Sequence, residues 1–382
     1  MNLQNQQHLF SLNNEITYLN GAYMSPQLKS VEQIGIDYLQ RKSQPSNILA
    51  PHFFSGKEVL RNRFAQLIDV EDPQRIAILP SVSFGIGTAL KNIPFEKGDE
   101  IIVLEEQFPS NFYAWKQLEA ERGVVVKTIA APALEKGRGQ RWNEQILEAI
   151  SSKTKCVALP IVHWADGTKF DLKAIRSRTN DVDAYLIIDG TQSIGAMPFS
   201  VEKIHPDALI CAGYKWLMGA YGLGVGYFGE RFDHGTPLDN NWMNHENAED
   251  FSNLVHYNPN FKPKAVRYDI GESSNFIMVP MLAEGIKQLL DWTPQSIQDY
   301  CESITKNAVE ALRQQGCFME ETTNRGHHLF GIYLPNASNI ATVKAKISAQ
   351  NILVSIRGNA IRVSPNVYNS PEHLEKLVSC FI

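Results

Sequence analysis

The stretch YLIIDGTQSIGAMPFSVEKIHPDALICAGYKWLMGAYGLGVGYFG, residues 185–229, decides the fold of this chain. It opens with a short apolar run, 184–188, that stops at Asp189. Such a run is typical of a buried parallel strand that ends in a loop. We therefore expect Asp189 at the carboxyl end of a strand, where open α/β sheets bind ligands.

Two further apolar runs follow within the same stretch. The first, 208–212, ends shortly before Lys215, and the second, 224–229, comes after a glycine-containing turn. This pattern predicts that Lys215 lies in a turn between two strands of the same sheet.

Lys215 and Asp189 together suit the chemistry of pyridoxal 5′-phosphate (PLP). Burial near the strand ends lowers the pKa of a lysine, and a neutral amine attacks an aldehyde to form a Schiff base. A carboxylate beside a pyridine nitrogen keeps that ring protonated, so that the ring can accept electrons from a carbanion. Each residue also has an ordinary interpretation, because Asp-Gly after a strand is common turn chemistry and a single lysine is often a solvated charge.

The order of short motifs resembles the class V aminotransferases, a family that includes cysteine desulfurases, kynureninases and isopenicillin N epimerase-like proteins. The resemblance covers nearly the whole chain. It rests on these motifs, which follow the family's order: 18–23 (YLNGAY), 81–83 (SVS), 189–192 (DGTQ), 213–216 (GYKW), 222–226 (GLGVG), 267–271 (RYDIG) and 361–369 (IRVSPNVYN).

The resemblance implies fold type I of the PLP-dependent transferases, an α/β fold. Strands alternate with helical segments over 76–228, which by itself predicts a mainly parallel sheet covered on both faces. We expect a large PLP-binding domain at 15–255, built on a sheet of the seven-stranded type. A smaller α+β domain is expected at 256–382, with 1–14 packed on it. By resemblance, the active site lies between the domains and at a homodimer interface.

The family's cofactor contacts can be carried over residue by residue. They imply that Lys215 forms the Schiff base and moves the Cα proton, and that Asp189 pairs with the pyridine nitrogen. Gln192 would bind the phenolic oxygen of PLP. The phosphate would lie at Ser83, Tyr214 and the backbone of Val82, where a predicted helix, 84–91, begins and its N-terminus favours anions. Ser83 has the alternative of being only a helix cap.

Four residues are candidates for the rest of the pocket. Phe108 occupies the position where the family stacks a ring on the cofactor, although it would otherwise be an ordinary core residue. Arg362 would bind the substrate's α-carboxylate with its guanidinium fork, and a second arginine, Arg357, makes a dicarboxylate conceivable. Trp164 is expected to wall the substrate pocket or to be structural, and Asn20 to form the pocket edge or a turn.

Departures from the family pattern narrow the chemistry. Segment 355–362 (SIRGNAIR) is a tight turn without the cysteine that desulfurases carry before their last strand. Glu272 stands where the phosphate loop that crosses the dimer often has threonine, so that Ser273 or Ser274 would have to substitute for it. We therefore expect an aminotransferase acting on the α-amine of an amino acid. The alternatives are an epimerase or a β-eliminating lyase and, less favoured, a binding protein that keeps the fold without catalysis.

Composition predicts a cytoplasmic enzyme with a small-molecule substrate. The 382 residues carry 36 basic and 41 acidic side chains, a net charge of −5, and no basic block, which disfavours nucleic acid and membrane surfaces as partners. The five cysteines lack paired spacing, so we expect reduced thiols, and no metal site is predicted. Segment 44–56 is expected to be an ordered connection and 136–141 a mobile surface loop.

Overall fold

Strands and helices alternate along most of the chain in the computed structural model, which describes residues 3–336 and 339–381. The strands are β1 (Thr17–Tyr18), β2 (Ile76–Leu79), β3 (Glu100–Leu104), β4 (Val125–Ile129), β5 (Thr154–Pro160), β6 (Tyr185–Asp189), β7 (Ala208–Ala212), β8 (Gly224–Phe228), β9 (Phe330–Ile332), β10 (Ile352–Leu353), β11 (Ser355–Arg357) and β12 (Ala360–Val363). The helices are α1 (Lys29–Arg41), α2 (His52–Leu67), α3 (Val82–Asn92), α4 (Tyr113–Arg122), α5 (Arg138–Ala149), α6 (Leu172–Asp181), α7 (Val201–Ile204), α8 (Met278–Trp292), α9 (Pro294–Gln314), α10 (Ile340–Ala349) and α11 (Pro371–Val378).

The large sheet confirms the predicted α/β class. Its seven strands run in the order β2-β8-β7-β6-β5-β3-β4. Neighbours from β7 to β4 are parallel, whereas β8 is antiparallel to both β7 and β2. Because β7 and β8 are antiparallel neighbours, the turn between them, which carries Lys215, lies at the same sheet edge as the carboxyl end of β6.

Both faces of the sheet are covered, as its continuous apolar runs predict. In β3, Ile102 and Leu104 belong to one apolar core, and Ile101 and Val103 belong to the core on the opposite face. All four side chains are fully buried. Successive strand residues point to opposite faces, so a strand that is apolar at every position requires helices on both sides.

A smaller sheet follows near the carboxyl end of the chain. Strands β11, β12 and β9 form an antiparallel sheet of three strands, while β1 pairs with β10 in parallel. The division into 15–255 and 256–382 remains a proposal, because α8, which follows residue 256, packs against α1 and α2. Within segment 1–14, the Gln6 amide donates to the Val367 carbonyl at 2.7 Å, so this part of the N-terminal segment contacts residues of the carboxyl-terminal part of the chain.

Two local expectations were wrong in part. Helix α5 begins at Arg138, inside the segment 136–141 that was expected to be a mobile loop, and Arg138 itself is buried. Helix α2 begins at His52, so that the end of segment 44–56 is helical and not a connection. Pro51 and Gly56 suggested a loop, but both are compatible with this helix. A proline is tolerated at a helix start, and a glycine within a helix is only weakly destabilising.

Within the described ranges, no helix is both long and apolar enough to cross a membrane. The same residues contain no group of three or more His, Cys, Asp or Glu side chains that could hold a metal ion.

Candidate active site

A cavity of about 270 Å³ lies at the carboxyl ends of the central strands. Eight of the predicted site residues line it, although they come from six separate parts of the chain. They are Val82, Ser83, Phe108, Trp164, Asp189, Gln192, Tyr214 and Lys215. The fold therefore brings together groups that are as much as 133 positions apart in the sequence, from 82 to 215.

Lys215 lies in the turn between β7 and β8 and is only 5% exposed. Burial lowers its pKa to about 8, and the charges of Arg362 and Arg357 act in the same direction, whereas Asp189 opposes them. The turn depends on close backbone packing, since a Cβ on Gly213 would lie 2.6 Å from the Leu223 carbonyl oxygen. The result is a lysine whose amine loses its proton more readily than a solvated one.

Asp189 is the last residue of β6, and its carboxyl group is buried in the cavity wall. The Thr191 amide donates to Oδ1 of Asp189 at 2.9 Å, and the Thr191 hydroxyl accepts from the Ala212 amide at 3.2 Å. Burial raises the pKa of Asp189, and the hydrogen bonds from Thr191 and the charge of Lys215 oppose this shift only in part. A cationic group beside Asp189 in the cavity would offset the cost of burying its charge and so favour the ionised carboxylate.

Both the nitrogen and the oxygen of the Gln192 side-chain amide form hydrogen bonds. Its Nε2 donates to the Ala22 carbonyl at 3.0 Å, and its Oε1 accepts from Nε1 of Trp216 at 3.0 Å. Its backbone carbonyl lies 2.7 Å from Nε2 of the buried His328. These contacts leave one Nε2 hydrogen of Gln192 for a group in the cavity.

Helix α3 points its N-terminus at the cavity. Ser81 caps the helix, because its hydroxyl accepts from the Phe84 amide at 3.2 Å. Ser83 is thus free of the capping role that was its alternative, and it is exposed with its hydroxyl 3.0 Å from that of Ser81. On the other side, the ring of Tyr214 packs against Tyr221 at 4.5 Å. The first amides of α3, together with the hydroxyl groups of Ser83 and Tyr214, form a site suited to an anion.

The aromatic rings of Phe108 and Trp164 form part of the cavity wall. The Phe108 and Trp164 rings meet edge to face at 5.3 Å, and Nζ of Lys215 lies 5.2 Å from the centre of Phe108. Nε1 of Trp164 donates to the Glu106 carbonyl at 2.6 Å, which fixes the indole. A flat ring would find apolar faces here.

Arg362 and Asn20 lie behind this wall rather than on it. Nη1 of Arg362 donates to the Trp164 carbonyl at 2.9 Å, and its Nη2 lies 3.4 Å from the Ser355 hydroxyl. That hydroxyl donates to Oδ1 of Asn20 at 2.8 Å. Both residues are buried, and the chain of contacts connects them to the cavity through Trp164.

The turn 272–274 is built differently from its expected role. Ser273 is fully buried, and its hydroxyl accepts from Nζ of Lys57 at 3.1 Å. Ser274 is 8% exposed, and Glu272 has a left-handed backbone with φ of 58°. Ser273 is thus occupied within its own chain, so a contact with a partner's phosphate would fall to Ser274.

Three residues that support the site were missed by the sequence analysis. Thr191 orients Asp189, Trp216 orients Gln192, and Tyr221 packs on Tyr214 while lining the cavity. Thr191 and Trp216 lie within the motifs 189–192 and 213–216, but the motifs do not indicate which side chains they orient. The contact of Trp216 with Gln192 joins two motifs that are 24 positions apart, so its role follows only from the fold.

These residues fit PLP. A buried amine, a buried carboxylate with a raised pKa, a helix N-terminus and an aromatic wall surround one cavity. They correspond to the aldehyde, the pyridine nitrogen, the phosphate and the ring of that cofactor.

Comparison with known proteins identifies the family. The family described as "Aminotransferase class-V" matches residues 46–377, and the chain belongs to it. The uncharacterized aminotransferase YcbU of Bacillus subtilis (strain 168) is 25% identical over 322 residues, 84% of this chain and 82% of the relative.

Solved structures show the same fold. The apo cysteine desulfurase of Thermococcus onnurineus NA1 has a TM-score of 0.81 at 20% identity and covers 99% of this chain and 97% of its own. The protein C-DES with glycine covalently linked to its PLP cofactor has a TM-score of 0.86 at 16% identity, with 98% of both chains covered. C-DES is also described as a cystine C–S lyase in complex with its product cysteine persulfide, where it has a TM-score of 0.81 at 17% identity and covers 96% of this chain and 97% of its own. The chain is a PLP-dependent enzyme of the aminotransferase or lyase type with fold type I.

Proposed function

We propose that this chain is an aminotransferase that acts on the α-amine of an amino acid, with Lys215 as the residue that holds PLP and moves the proton at Cα. The observation that distinguishes this chain from the desulfurases of the family is the hairpin of β11 and β12. Arg357 pairs with Ala360, so that only Gly358 and Asn359 connect the strands. A connection this short, without cysteine, leaves no loop for the persulfide chemistry of a desulfurase.

The cysteines support the same choice. All five are free and buried, and the residues that line the cavity include none of them. Burial raises the pKa of Cys211 well above its usual value, which keeps this thiol protonated and unreactive. A nucleophilic thiolate is therefore not part of the proposed mechanism.

PLP, when bound, supplies an aldehyde that condenses with amines and a ring that accepts electrons from a carbanion. In the proposed arrangement Asp189 would hold the positive charge of the pyridine nitrogen, and Gln192 would donate its remaining amide hydrogen to the phenolic oxygen. Ser83, Tyr214 and the first amides of α3 would hold the phosphate. The rings of Phe108 and Trp164 exclude water from one side of the site.

Proton transfer would be the task of Lys215. Its pKa of about 8 lies close to neutral pH, so the amine can both take a proton from the substrate's Cα and return one. Arg362 would bind the α-carboxylate, because its guanidinium lies 6.0 Å from the ring of Trp164, which lines the cavity, and its Nε has no hydrogen-bond partner.

A β-eliminating lyase is the second candidate, and the likeness to the C-DES lyase structures favours it. Epimerisation at Cα uses the same residues and stays an alternative. The reactions begin alike and differ in what leaves Cα or Cβ.

The deciding measurement is the visible spectrum of the purified holoenzyme during single turnover with a panel of amino acids. Aminotransfer predicts conversion to the pyridoxamine form with a stoichiometric 2-keto acid. A spectrum that returns to its start while ammonia and pyruvate accumulate would instead establish a lyase, and a racemised product an epimerase. Borohydride reduction followed by peptide mass spectrometry should place the pyridoxyl group on Lys215.

We also propose a homodimer. The cavity is bordered by Tyr221, which is 69% exposed, and elsewhere the surface exposes Tyr257 at 97% and Val255 at 74%. Exposed aromatic and aliphatic side chains of this kind are enriched at interfaces. Light scattering on the eluate of a sizing column should give twice the 42.9 kDa of the chain, and a mass of one chain would refute the dimer.

A further inference from the structure

Two arginines project from one face of the hairpin of β11 and β12. Arg362 lies directly opposite Ser355 in the antiparallel register. Arg357 is two residues beyond Ser355, and residues that are opposite each other or two apart on a strand share a face. The side chains of Arg357 and Arg362 are therefore diagonal neighbours on the same side of the sheet.

Both guanidinium groups border the indole that walls the cavity. Cζ of Arg357 lies 5.3 Å from the centre of the Trp164 ring, and Cζ of Arg362 lies 6.0 Å from it. Trp164 itself lines the cavity with Lys215. The charges of both arginines also act on the Lys215 amine, which places all three cations in one neighbourhood.

The two arginines lack counterions. In the part of the chain that the structure describes, neither one has a carboxylate within 4.0 Å. The Nε of each is buried without a hydrogen-bond partner, and Arg362 is only 1% exposed. Among the described residues, their hydrogen bonds go only to neutral groups, the Ile356 carbonyl for Arg357 and the Trp164 carbonyl and Ser355 hydroxyl for Arg362. Removing a cation from water without a counterion is costly, so this arrangement is expected where an anionic ligand supplies the counterion.

Two acidic side chains of the described residues lie near this face of the hairpin. Asp166 is 2.8 Å from the position that a Cβ would take on Gly331, opposite Arg362, but it is already paired with Arg138 at 3.0 Å. The Glu106 carboxylate is 3.6 Å from the position that a Cβ would take on Gly358, and Glu106 is exposed. Because Asp166 is paired with Arg138 and Glu106 is solvated, neither carboxylate forms an ion pair with Arg357 or Arg362, and this face keeps its positive charge.

Building on the proposed function, we infer that the substrate is an α-amino acid whose side chain carries a second anionic group. Arg362 binds the α-carboxylate, and Arg357 binds the second anion and determines specificity for it. A carboxylate and a phosphonate or phosphate share the chemistry that a guanidinium fork recognises.

The test is calorimetric titration of the holoenzyme with compounds that cannot react because they lack an amine. Glutarate and 3-phosphonopropionate carry two anionic groups, whereas butyrate carries one. We expect the holoenzyme to bind at least one of the dianions about 10-fold more tightly than butyrate, the effect of one extra charged hydrogen bond. The preferred dianion tells whether the second group is a carboxylate or a phosphorus acid.

Arg357→Gln should abolish this preference and leave the affinity for butyrate unchanged, which also shows that the variant is folded. Arg357→Lys, which keeps the charge, should retain part of the preference. The inference is overturned if the wild type binds butyrate as tightly as the dianions, if it binds none of the three, or if Arg357→Gln keeps the preference.

Failure of the proposed function would look different. A holoenzyme that prefers dianions through Arg357 but forms no pyridoxamine with acidic amino acids would keep the two-arginine site and refute aminotransfer. Aminotransfer restricted to neutral amino acids, with no dianion preference, would keep the proposed function and refute the two-arginine site.

Discussion

Nζ of Lys215 lies 5.2 Å from the centre of the Phe108 ring, in a cavity that also exposes the carboxylate of Asp189. An amine, an aromatic face and a buried acid thus surround a space of about 270 Å³. The contact between Lys215 and Phe108 thus joins the β7–β8 turn to the loop after β3.

Lys215→Ala should lower turnover by about 1000-fold or more, because it removes the group that moves the Cα proton. The matched control is Lys173→Ala, which changes an exposed lysine on α6 and should leave turnover unchanged. Steady-state rates and borohydride labelling measure both effects. A Lys215→Ala enzyme that turns over at the wild-type rate would refute the assignment.

Reconstitution of the apoenzyme with PLP should accelerate as the pH rises through about 8, because the pKa of Lys215 is lowered from 10.5 to about 8 and the neutral amine is the nucleophile. The unfolded chain binds more protons than the folded one between these two values. Lys215 therefore also makes the apoenzyme more stable as the pH rises across that window. Stopped-flow absorbance gives the midpoint, and a midpoint near 10.5 would contradict the lowered pKa.

Asp189→Asn should slow proton removal from the substrate by about 100-fold, since the amide cannot hold the charge of the pyridine nitrogen. The apoenzyme should not lose stability at pH 7. The pKa of Asp189 is raised in the folded state, so its ionisation costs stability as the pH rises above the unfolded value of 3.8, and asparagine avoids this cost. Substrate deuterium exchange and thermal melts of the apoenzyme measure the two effects separately. Unchanged exchange would exclude the pairing.

The strands and the residues at their ends were predictable from the sequence because their signals are local. Asp189 and Lys215 each follow an apolar run that ends abruptly, and the structure places both at one sheet edge. Residues such as Trp216 and His328 could not be predicted as supports of Gln192, since their contacts join distant segments. The start of α5 was not predicted for a similar reason. The glycines around Arg138 are typical of a loop, and only the fold shows that Arg138 is buried against Asp166 and Glu320.

Arg362→Met should raise KM for amino acids by about 10-fold to 100-fold with a smaller effect on kcat, since a charged hydrogen bond contributes about 1.5–3 kcal/mol to binding. An amine without a carboxylate serves as the control substrate, and its KM should not change. Burial lowers the pKa of Arg362 to about 9, and Arg357 adds to this shift, so Arg362→Lys should be a poor replacement. If KM rises equally for the control amine, Arg362 has only a structural role.

Arg138→Met should lower the free energy of unfolding of the apoenzyme by about 3–5 kcal/mol, because it leaves two buried acids without their cation. Nη2 of Arg138 lies 3.0 Å from Asp166 and Nη1 lies 3.5 Å from Glu320, and all three side chains are at most 4% exposed. The control is Arg141→Met on the same helix, where the arginine side chain is 39% exposed and its ion pair is 4.0 Å long. That variant should lose less than about 1 kcal/mol.

Urea unfolding of both variants measures the difference. Asp166 and Trp164 belong to the same turn after β5, so the Arg138→Met enzyme should also show a raised KM while the Arg141→Met enzyme does not. Equal stability of the two variants would mean that the buried acids are neutral in the folded protein. In that case the pKa of Asp166, which hydrogen bonding and the charges of His163 and Arg138 hold low against burial, would have to be high instead.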